Sequence, residues 1–241
     1  MTIPAGALRF NTDSGKLEYY NGDDWFQIDS FSPTSATGGA RGVTAGGDTP
    51  GASKIEYINV STTGNALTFG TLTLPGLGPV GCASRTRGII ANAYSGGNLA
   101  DIQYITFAST GNSIDSGFDT TLARHEAGGV SNSTRGIFGG GESGPGGDVT
   151  IDYITIDSLG NAQDFGDLLL AIRNSTGVNS STRGIFLGGR NGPTQQNTIQ
   201  YVTISTLGNA SDFGDLTQTA GRCAWVWNSV RGIRIGGETP A

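Results

Sequence analysis

Arg183-Gly-Ile-Phe-Leu-Gly-Gly189 is one copy of a strand-like motif that recurs along this 241-residue chain. Each copy begins with an Arg-Gly pair, and most copies end in Gly-Gly. The successive pairs are 46, 48, 48 and 48 residues apart, and their arginines are Arg41, Arg87, Arg135, Arg183 and Arg231. The chain therefore contains one unit repeated about five times.

A tyrosine-containing strand follows the first four of these motifs. Its copies alternate β-branched or aromatic residues with polar ones, which is typical of a half-buried strand; they span Ile55–Val60, Ile102–Phe107, Ile151–Ile156 and Ile199–Ile204. A Gly-Asn pair follows each copy, and we expect it to supply positive-φ residues in a tight hairpin. Two further strand-like stretches, such as Gln163–Leu168 and Gly128–Thr134, bring each period to four strands.

A period of roughly 40 to 50 residues with four strands is typical of a β-propeller blade. A helical repeat does not fit, because no segment has apolar residues at helical spacing and glycine interrupts nearly all segments. The fifth copy lacks a tyrosine strand, and the N-terminal stretch Lys16–Ile28 offers one with an Asn21-Gly22 turn. We therefore predict an all-β, five-bladed propeller closed by N-terminal strands that complete the C-terminal blade.

This prediction treats residues 1–241 as one domain. Residues 1–30 are the N-terminal hairpin and closing strands, and residues 36–241 are the repeats. A single all-β domain of this length can bury a sizeable core.

The repeat resembles the kelch type of propeller blade. That blade has a hydrophobic strand ending in Gly-Gly, then a Tyr strand, an aromatic residue and an Arg. The matching residues are Ile185–Gly189, Tyr201, Phe213 and Arg222, and in the preceding copy Ile137–Gly141, Tyr153, Phe165 and Arg173. The tryptophan of the kelch pattern is replaced by Phe in these central copies. The resemblance implies blades of about 48 residues.

Composition and charge exclude several classes of function. The net charge of -6 argues against general binding to nucleic acid or anionic membranes. There is no apolar run of membrane-spanning length, and Met1-Thr-Ile-Pro-Ala5 lacks the features of a secretory signal. Cys82 and Cys223 fall in non-adjacent repeats, so we expect no disulfide between them.

Catalytic and metal-binding constellations are not apparent in the sequence. The chain has one histidine, His125, which we interpret as an exposed loop residue, and its two cysteines are isolated. The aspartates of Asp164-Phe-Gly-Asp167 and Asp212-Phe-Gly-Asp215 recur in separate repeats, as solvent-facing turn residues would. The kelch-type copper oxidases require histidine ligands that this chain does not have. We therefore predict no enzymatic activity, no cofactor and no metal.

Two sets of residues are candidates for partner binding. The five Arg-Gly arginines should emerge on one face, where guanidinium groups could bind carboxylates or phosphates; alternatively, each arginine braces a neighbouring blade. Trp225 and Trp227 lie two residues apart on one strand, so both could stack on a sugar or a partner. The alternative is that they fill the interface of the closing blade.

The segment Ala7–Trp25 resembles a hairpin that recurs in tail fibres and other virion proteins of tailed bacteriophages. Its Tyr20-Asn-Gly-x-x-Trp25 ending and the glycine-, serine- and threonine-rich repeats carry this resemblance. It implies a non-enzymatic structural protein, present in several copies on a virion assembled in the host cytoplasm. We expect a tail or tail-fibre component that contacts other virion proteins and host-surface carbohydrate. The alternatives are a capsid decoration protein and a free lectin-like propeller with avidity from repeated sites.

Overall fold

The computed structural model describes residues 3–12, 16–27, 41–47, 52–228 and 230–238. The chain divides into two compact units, Met1–Thr34 and Ser35–Ala241. The described residues form strands, bridges and turns without a helix, so the all-β prediction is confirmed. Consequently no helix in this part of the chain is long and apolar enough to cross a membrane.

The first unit is a three-stranded antiparallel sheet with β2 in the centre. Its strands are β1 (Leu8–Asn11), β2 (Lys16–Tyr20) and β3 (Trp25–Gln27). Asn21 forms the turn between β2 and β3, because its side-chain oxygen accepts hydrogen bonds from the amides of Asp23 and Asp24. The hairpin predicted for Lys16–Ile28 is present over residues 16–27, with Ile28 outside the described residues, and its first strand also pairs with β1.

Among its described residues, the second unit forms five sheets that follow the repeat, together with a short hairpin. The strands are β4 (Arg41–Ala45), β5 (Lys54–Asn59), β6 (Leu67–Thr71), β7 (Val80–Ala83), β8 (Arg87–Tyr94), β9 (Asn98–Thr106), β10 (Ile114–Asp119), β11 (Gly128–Ser131), β12 (Arg135–Gly139), β13 (Asp148–Thr155), β14 (Gln163–Ile172), β15 (Thr176–Asn179), β16 (Arg183–Leu187), β17 (Arg190–Asn191), β18 (Thr194–Gln195), β19 (Thr198–Thr203), β20 (Ser211–Asp215), β21 (Ala224–Trp227) and β22 (Gly232–Ile235).

Each interior repeat forms one four-stranded antiparallel sheet, as the sequence predicts. The strand orders are β7-β8-β9-β10, β11-β12-β13-β14 and β15-β16-β19-β20, while β4-β5-β6 and β21-β22 are shorter sheets. β17 pairs with β18, and its Arg190 also forms an isolated antiparallel bridge with Arg173. The predicted four-stranded closing sheet is not among the sheets that the described residues form.

The outer pair of strands contains a β-bulge at the same position in three repeats. The register shifts opposite Glu56, Asp152 and Gln200, and the bulged residues are Phe69, Phe165 and Phe213. A bulge redirects a side chain, and here each phenylalanine meets the tyrosine of its own repeat edge-on with ring centroids 6.0 Å apart. The bulge thus places Phe69 and Phe165 in the core between repeats, whereas Phe213 is exposed.

Apolar side chains form a separate core at each of the first three boundaries between successive sheets. Ile55, Phe69 and Ile105 belong to the cluster between the first two repeats. The next boundary is filled by residues that include Ile89, Phe138 and Ile154, and the third by residues that include Ile137, Phe186 and Val202. Each sheet therefore buries both of its faces only when a neighbour lies on each side.

The first strands of successive sheets approach each other too closely for side chains at one position. A Cβ atom built on Gly129 would lie 2.3 Å from the carbonyl oxygen of Gly81, and one on Gly177 would lie 2.2 Å from that of Gly129. Real Cβ atoms do not reach such distances, so glycine is required where these backbones meet. The fifth repeat carries Trp225 at this position.

The second repeat lacks the Gly-Gly ending of the Arg-Gly strand but keeps its turn. Gly140, Gly188 and Gly236 adopt φ values of 69°, 56° and 62° at the end of this strand. The equivalent residue of the second repeat, Asn92, has a φ of 51°. Asparagine tolerates this left-handed conformation better than most residues, so the turn is kept without glycine.

Candidate functional site

The arginines of the Arg-Gly pairs form the most regular polar feature of the repeats. In the first four repeats, the guanidinium lies over the ring of the tyrosine in the neighbouring strand, with centroid distances of 4.5 to 4.9 Å. The strand register causes this contact, because the arginine lies opposite the end of the tyrosine strand. Such cation–π contacts hold the guanidinium plane in a defined orientation.

Three of these arginines also reach the next repeat. Arg87 Nη1 donates hydrogen bonds to the carbonyl oxygens of Ile156 and Asp157 at 2.7 and 2.8 Å, and Arg135 Nη1 donates to that of Ile204 at 2.6 Å. Arg41 makes the equivalent bond to the carbonyl of Phe107. These hydrogen bonds are the ones expected from the alternative in which each Arg-Gly arginine braces a neighbouring repeat.

The last two arginines differ from the first three. Arg183 and Arg231 are exposed, whereas the other three are half-buried. Arg183 stacks on Tyr201 and has no hydrogen bond to a following tyrosine strand among the described residues. The prediction that these arginines bind a partner is therefore easiest to test at Arg183 and Arg231, where a substitution removes no inter-repeat hydrogen bond.

Trp225 and Trp227 lie on β21, as the sequence places them. Trp227 is exposed and Trp225 is half-buried. Their cross-strand partners on β22 are Arg234 and Gly232. Both remain candidates for partner contact, with Trp227 presenting the larger accessible surface.

The Gly-Asn pairs join successive repeats, which the sequence did not reveal. Gly111, Gly160 and Gly208 have positive φ values, but the asparagines that follow them do not. Instead, each asparagine oxygen accepts a hydrogen bond from a backbone amide in the outer strand of the preceding repeat. The donors are Thr71, Asp119 and Asp167, each 3.1 Å from the oxygen of Asn112, Asn161 and Asn209 respectively. The expectation that both residues of the pair serve a tight hairpin was wrong for asparagine.

A second polar position, inside the tyrosine strand, also binds the preceding repeat. Gln103, Asp152 and Gln200 are fully or almost fully buried. Their side-chain oxygens accept hydrogen bonds from the amides of Leu74, Thr121 and Leu169. The sequence predicts these positions as outward-facing polar residues of an alternating strand, but neighbouring repeats cover both faces.

Asp152 is ion-paired with Arg124, and both side chains are inaccessible to solvent. Arg124 Nη2 lies 3.1 Å from Asp152 Oδ1 and also donates to the carbonyl of Phe138. Burial raises the pKa of Asp152 above its ordinary value, although Arg124 and the Thr121 amide oppose this change. The equivalent residues of the next repeat are Ile172 and Gln200, so this charged pair is particular to one boundary.

His125 is largely buried, which corrects its interpretation as an exposed loop residue. Its side chain is 12% exposed, and its Nδ1 lies 2.9 Å from Asn98 Oδ1. His125, Glu126 and Glu142 place possible metal-ligand atoms within 4.8 Å of one another. However, Glu142 is ion-paired with Arg173, and Glu126 lies 3.4 Å from Arg222. Both carboxylates are therefore paired with arginine side chains, so the cluster is a network of opposite charges rather than a cation site.

A shallow pocket of about 440 Å³ opens where the first strands begin. Four equivalent residues surround it, all with φ between 52° and 61°: Gly78, Glu126, Asn174 and Arg222. Backbone hydrogen bonds link the first three in series, and Arg222 Nε donates to Asn174 Oδ1 at 3.3 Å. Ser175 also lines the pocket, but its hydroxyl oxygen is shielded from solvent and has no hydrogen-bond partner among the described residues. The pocket thus presents charged and amide groups together.

The two cysteine thiols, Cys82 and Cys223, are both free. Burial raises the pKa of the Cys82 thiol to about 12, so it stays protonated at neutral pH and is a poor nucleophile.

Comparisons with known proteins give no family assignment, because no family model and no curated protein matches this chain significantly.

Proposed function

We propose that this chain is a non-enzymatic structural protein of a tailed-phage virion, a tail or tail-fibre component present in several copies per particle. The observation that supports the proposal is that the repeated polar residues form hydrogen bonds to the neighbouring repeat. These residues are the arginine of the Arg-Gly pair, the asparagine of the Gly-Asn pair and the buried polar residue of the tyrosine strand. Polar groups that recur for catalysis would instead converge on one pocket.

The finer architecture that we propose is a five-bladed propeller closed by the N-terminal strands. Side-by-side packing of the first strands supports it, since β7, β11, β15 and β21 contact one another in this order. The resemblance of residues 7–25 to phage tail-fibre hairpins supports the virion assignment. Other virion proteins and host-surface carbohydrate are the partners expected of such a component.

Immunogold electron microscopy of purified phage from the source lysate tests this proposal. An antibody raised against the chain should label the tail, with particles lacking the gene product as the control. Label on the head would replace the tail assignment by capsid decoration. Particles without label would contradict a virion role.

A lectin-like activity is a second candidate, because the pocket around Glu126, Asn174 and Arg222 combines groups that hydrogen-bond sugars. A glycan array compares the native chain with Arg222→Ala and with Trp227→Ala. Binding that is lost in the Arg222 variant assigns the pocket, and loss in the Trp227 variant assigns β21. The absence of binding at high protein concentration would exclude this candidate.

The arginine surface is tested separately. We expect Arg183→Glu with Arg231→Glu to abolish attachment to the particle without changing the melting temperature if these side chains bind virion partners. Arg135→Glu is the matched control, because it also removes the bond to Ile204 and should lower stability. Unchanged attachment of the double variant would exclude the arginines as an interface.

A further inference from the structure

One pocket of the second unit is lined by residues from all five repeats, and we call it the shared pocket. It is the pocket of about 440 Å³ where the first strands begin, a volume within the range of about 300–1,000 Å³ that small-ligand sites have. Its lining includes one residue or more from each repeat, among them Gly47, Gly78, Glu126, Asn174 and Arg222 in chain order. A ligand in this pocket therefore contacts the first and the last repeats together.

Four of the lining residues occupy equivalent positions and have the left-handed backbone conformation. The φ values of Gly78, Glu126, Asn174 and Arg222 are 61°, 57°, 53° and 52°. This conformation suits glycine, is tolerated by asparagine and is unfavourable for glutamate and arginine. The turn itself does not need side chains, because the Glu126 and Asn174 amides donate to the main-chain carbonyls of Gly78 and Glu126. Residues kept in a conformation that glycine would adopt more easily are typical of functional sites.

The three polar side chains at these positions meet through long contacts. Arg222 Nε lies 3.3 Å from Asn174 Oδ1, and Arg222 Nη2 lies 3.4 Å from Glu126 Oε1. Both distances exceed the range of about 2.7–3.2 Å that is typical of such hydrogen bonds. The Arg222 side chain is 46% exposed, so its ion pair with Glu126 adds little to stability. Arg222 can therefore turn its N–H donors toward a ligand without losing a strong internal bond.

The charges in the shared pocket indicate a neutral ligand. Among the described residues that line it, Glu126 and Arg222 are the charged ones, and their charges cancel. A hydroxyl group can donate to the carboxylate and accept from the guanidinium at the same time, whereas a zwitterion would have to separate the pair. Ala45, Pro79 and Ala127 add small apolar surfaces against which the C–H groups of a sugar can pack.

We propose that the shared pocket binds one neutral sugar unit of a glycan, with Glu126, Asn174 and Arg222 forming hydrogen bonds to its hydroxyl groups. The proposal rests on the lectin-like candidate above and gives it one site for each chain. The three side chains are the ligand-binding groups, and the left-handed turns that carry them direct them to one place.

Saturation-transfer NMR of the full chain tests this site. The probes are glucose, galactose, mannose and N-acetylglucosamine, with glucuronate and galacturonate as acidic counterparts and alanine as a zwitterion. We expect at least one neutral sugar to bind, and the acidic sugars and alanine to bind more weakly. Arg222→Gly should weaken the sugar binding about tenfold or more, because hydrogen bonds to a charged group are lost. Asn174→Gly should weaken it several-fold.

The same variants separate ligand binding from a structural role. Glycine suits the backbone at both positions, so we expect melting temperatures no lower than that of the native chain. Arg190→Ala is the control, because Arg190 lies 3.5 Å from Glu238 in a nearby ion pair but is not among the described lining residues. This variant should bind the sugar as the native chain does. Lower melting temperatures with unchanged sugar binding in the two glycine variants would mean that Asn174 and Arg222 only brace the repeats, and would overturn the proposal.

Glu126→Gln tests the charge argument. The substitution leaves the Arg222 charge without this partner, so glucuronate and galacturonate should gain affinity relative to the neutral sugars. Unchanged selectivity would overturn the role of the Glu126 and Arg222 pair in selecting a neutral ligand.

The absence of binding by all four neutral sugars, or binding of alanine in their place, would overturn the shared pocket as a sugar site. Glycan binding on an array that is lost only in Trp227→Ala would also overturn it, while leaving the lectin-like candidate in place. Because attachment to phage particles is scored by microscopy, none of these results affects the virion assignment.

Discussion

Ile58 and Ile105 occupy the same position in successive tyrosine strands, yet Ile58 is 47% exposed and Ile105 is 3% exposed. Phe213 and Phe165 differ in the same way at the other end of the array, with 49% and 2% exposed. The residue types and the local strand geometry are alike in each pair. The difference is the neighbouring repeat, which covers the interior residues. Stability in this molecule is therefore located at the boundaries between repeats more than within each sheet.

The largest expected effect comes from the one charged boundary. Asp152→Gln should lower the free energy of unfolding by about 3–5 kcal/mol, because it leaves the buried Arg124 without its counter-charge. The double variant Arg124→Ile, Asp152→Gln copies Ile172 and Gln200 of the next repeat and should recover most of this loss. Urea denaturation measures both, and a double variant as unstable as the single one would contradict the equivalence of the boundaries.

A second substitution compares an interior with an end position directly. Ile105→Ala should cost about 2–5 kcal/mol, since it opens a cavity between the first two repeats. Ile58→Ala should change stability by less than about 0.5 kcal/mol, since the side chain is exposed. Thermal melts of the two variants give the comparison. Equal losses would mean that Ile58 is covered in solution, as a closed ring requires.

The close approach of the first strands predicts an effect of intermediate size. Gly177→Ala should cost about 1–3 kcal/mol, because the added Cβ meets the backbone of Gly129. Gly81→Ala is the control, with its nearest atom at 3.7 Å, and should be nearly neutral. Differential scanning calorimetry separates these outcomes, and similar melting temperatures would contradict the packing of β11 against β15.

A smaller effect is expected at the Gly-Asn pairs. Asn161→Ala removes the acceptor for the Asp119 amide and should cost about 1 kcal/mol. Asn65→Ala alters the first pair, which has no hydrogen bond to a preceding repeat among the described residues, and should have no measurable effect. Amide hydrogen exchange at Asp119 is the most direct measurement, and unchanged protection would exclude the bond.

The stability of the first sheet should depend on the ionisation of Glu18. Hydrogen bonds from Asn11 and Arg9 lower the pKa of Glu18 below its ordinary value of 4.5. The resulting stability is present above that value and is lost as the pH falls through the lowered pKa. Fluorescence of Trp25, which stacks on Arg9 at 4.1 Å, should report a transition below pH 4.5 that Glu18→Gln abolishes. An unaltered transition in the variant would assign it to another group.

The repeat, its strands and their antiparallel order could be predicted from sequence, because period-two alternation and Arg-Gly spacing are local signals. The bulge at Phe69 and its equivalents could not, since nothing in Thr68-Phe-Gly-Thr71 or in the two Asp-Phe-Gly-Asp sequences reveals a register shift. The burial of Gln103, Asp152 and Gln200 was equally hidden, because alternation distinguishes the two faces of a strand but not whether a neighbour covers both. The burial of His125 was missed for the same reason, as it depends on Tyr94 of β8 and Asn98 of β9.

The arginine brace has a consequence for how this surface can vary. Its acceptor is a main-chain carbonyl, which is present whether the residue is Phe107, Ile156 or Ile204. The hydrogen bond between two repeats therefore requires the arginine donor but no particular residue type at the acceptor. An acceptor residue can be replaced by another of similar packing without a compensating change at the arginine, so the repeats can diverge in sequence while the brace is kept.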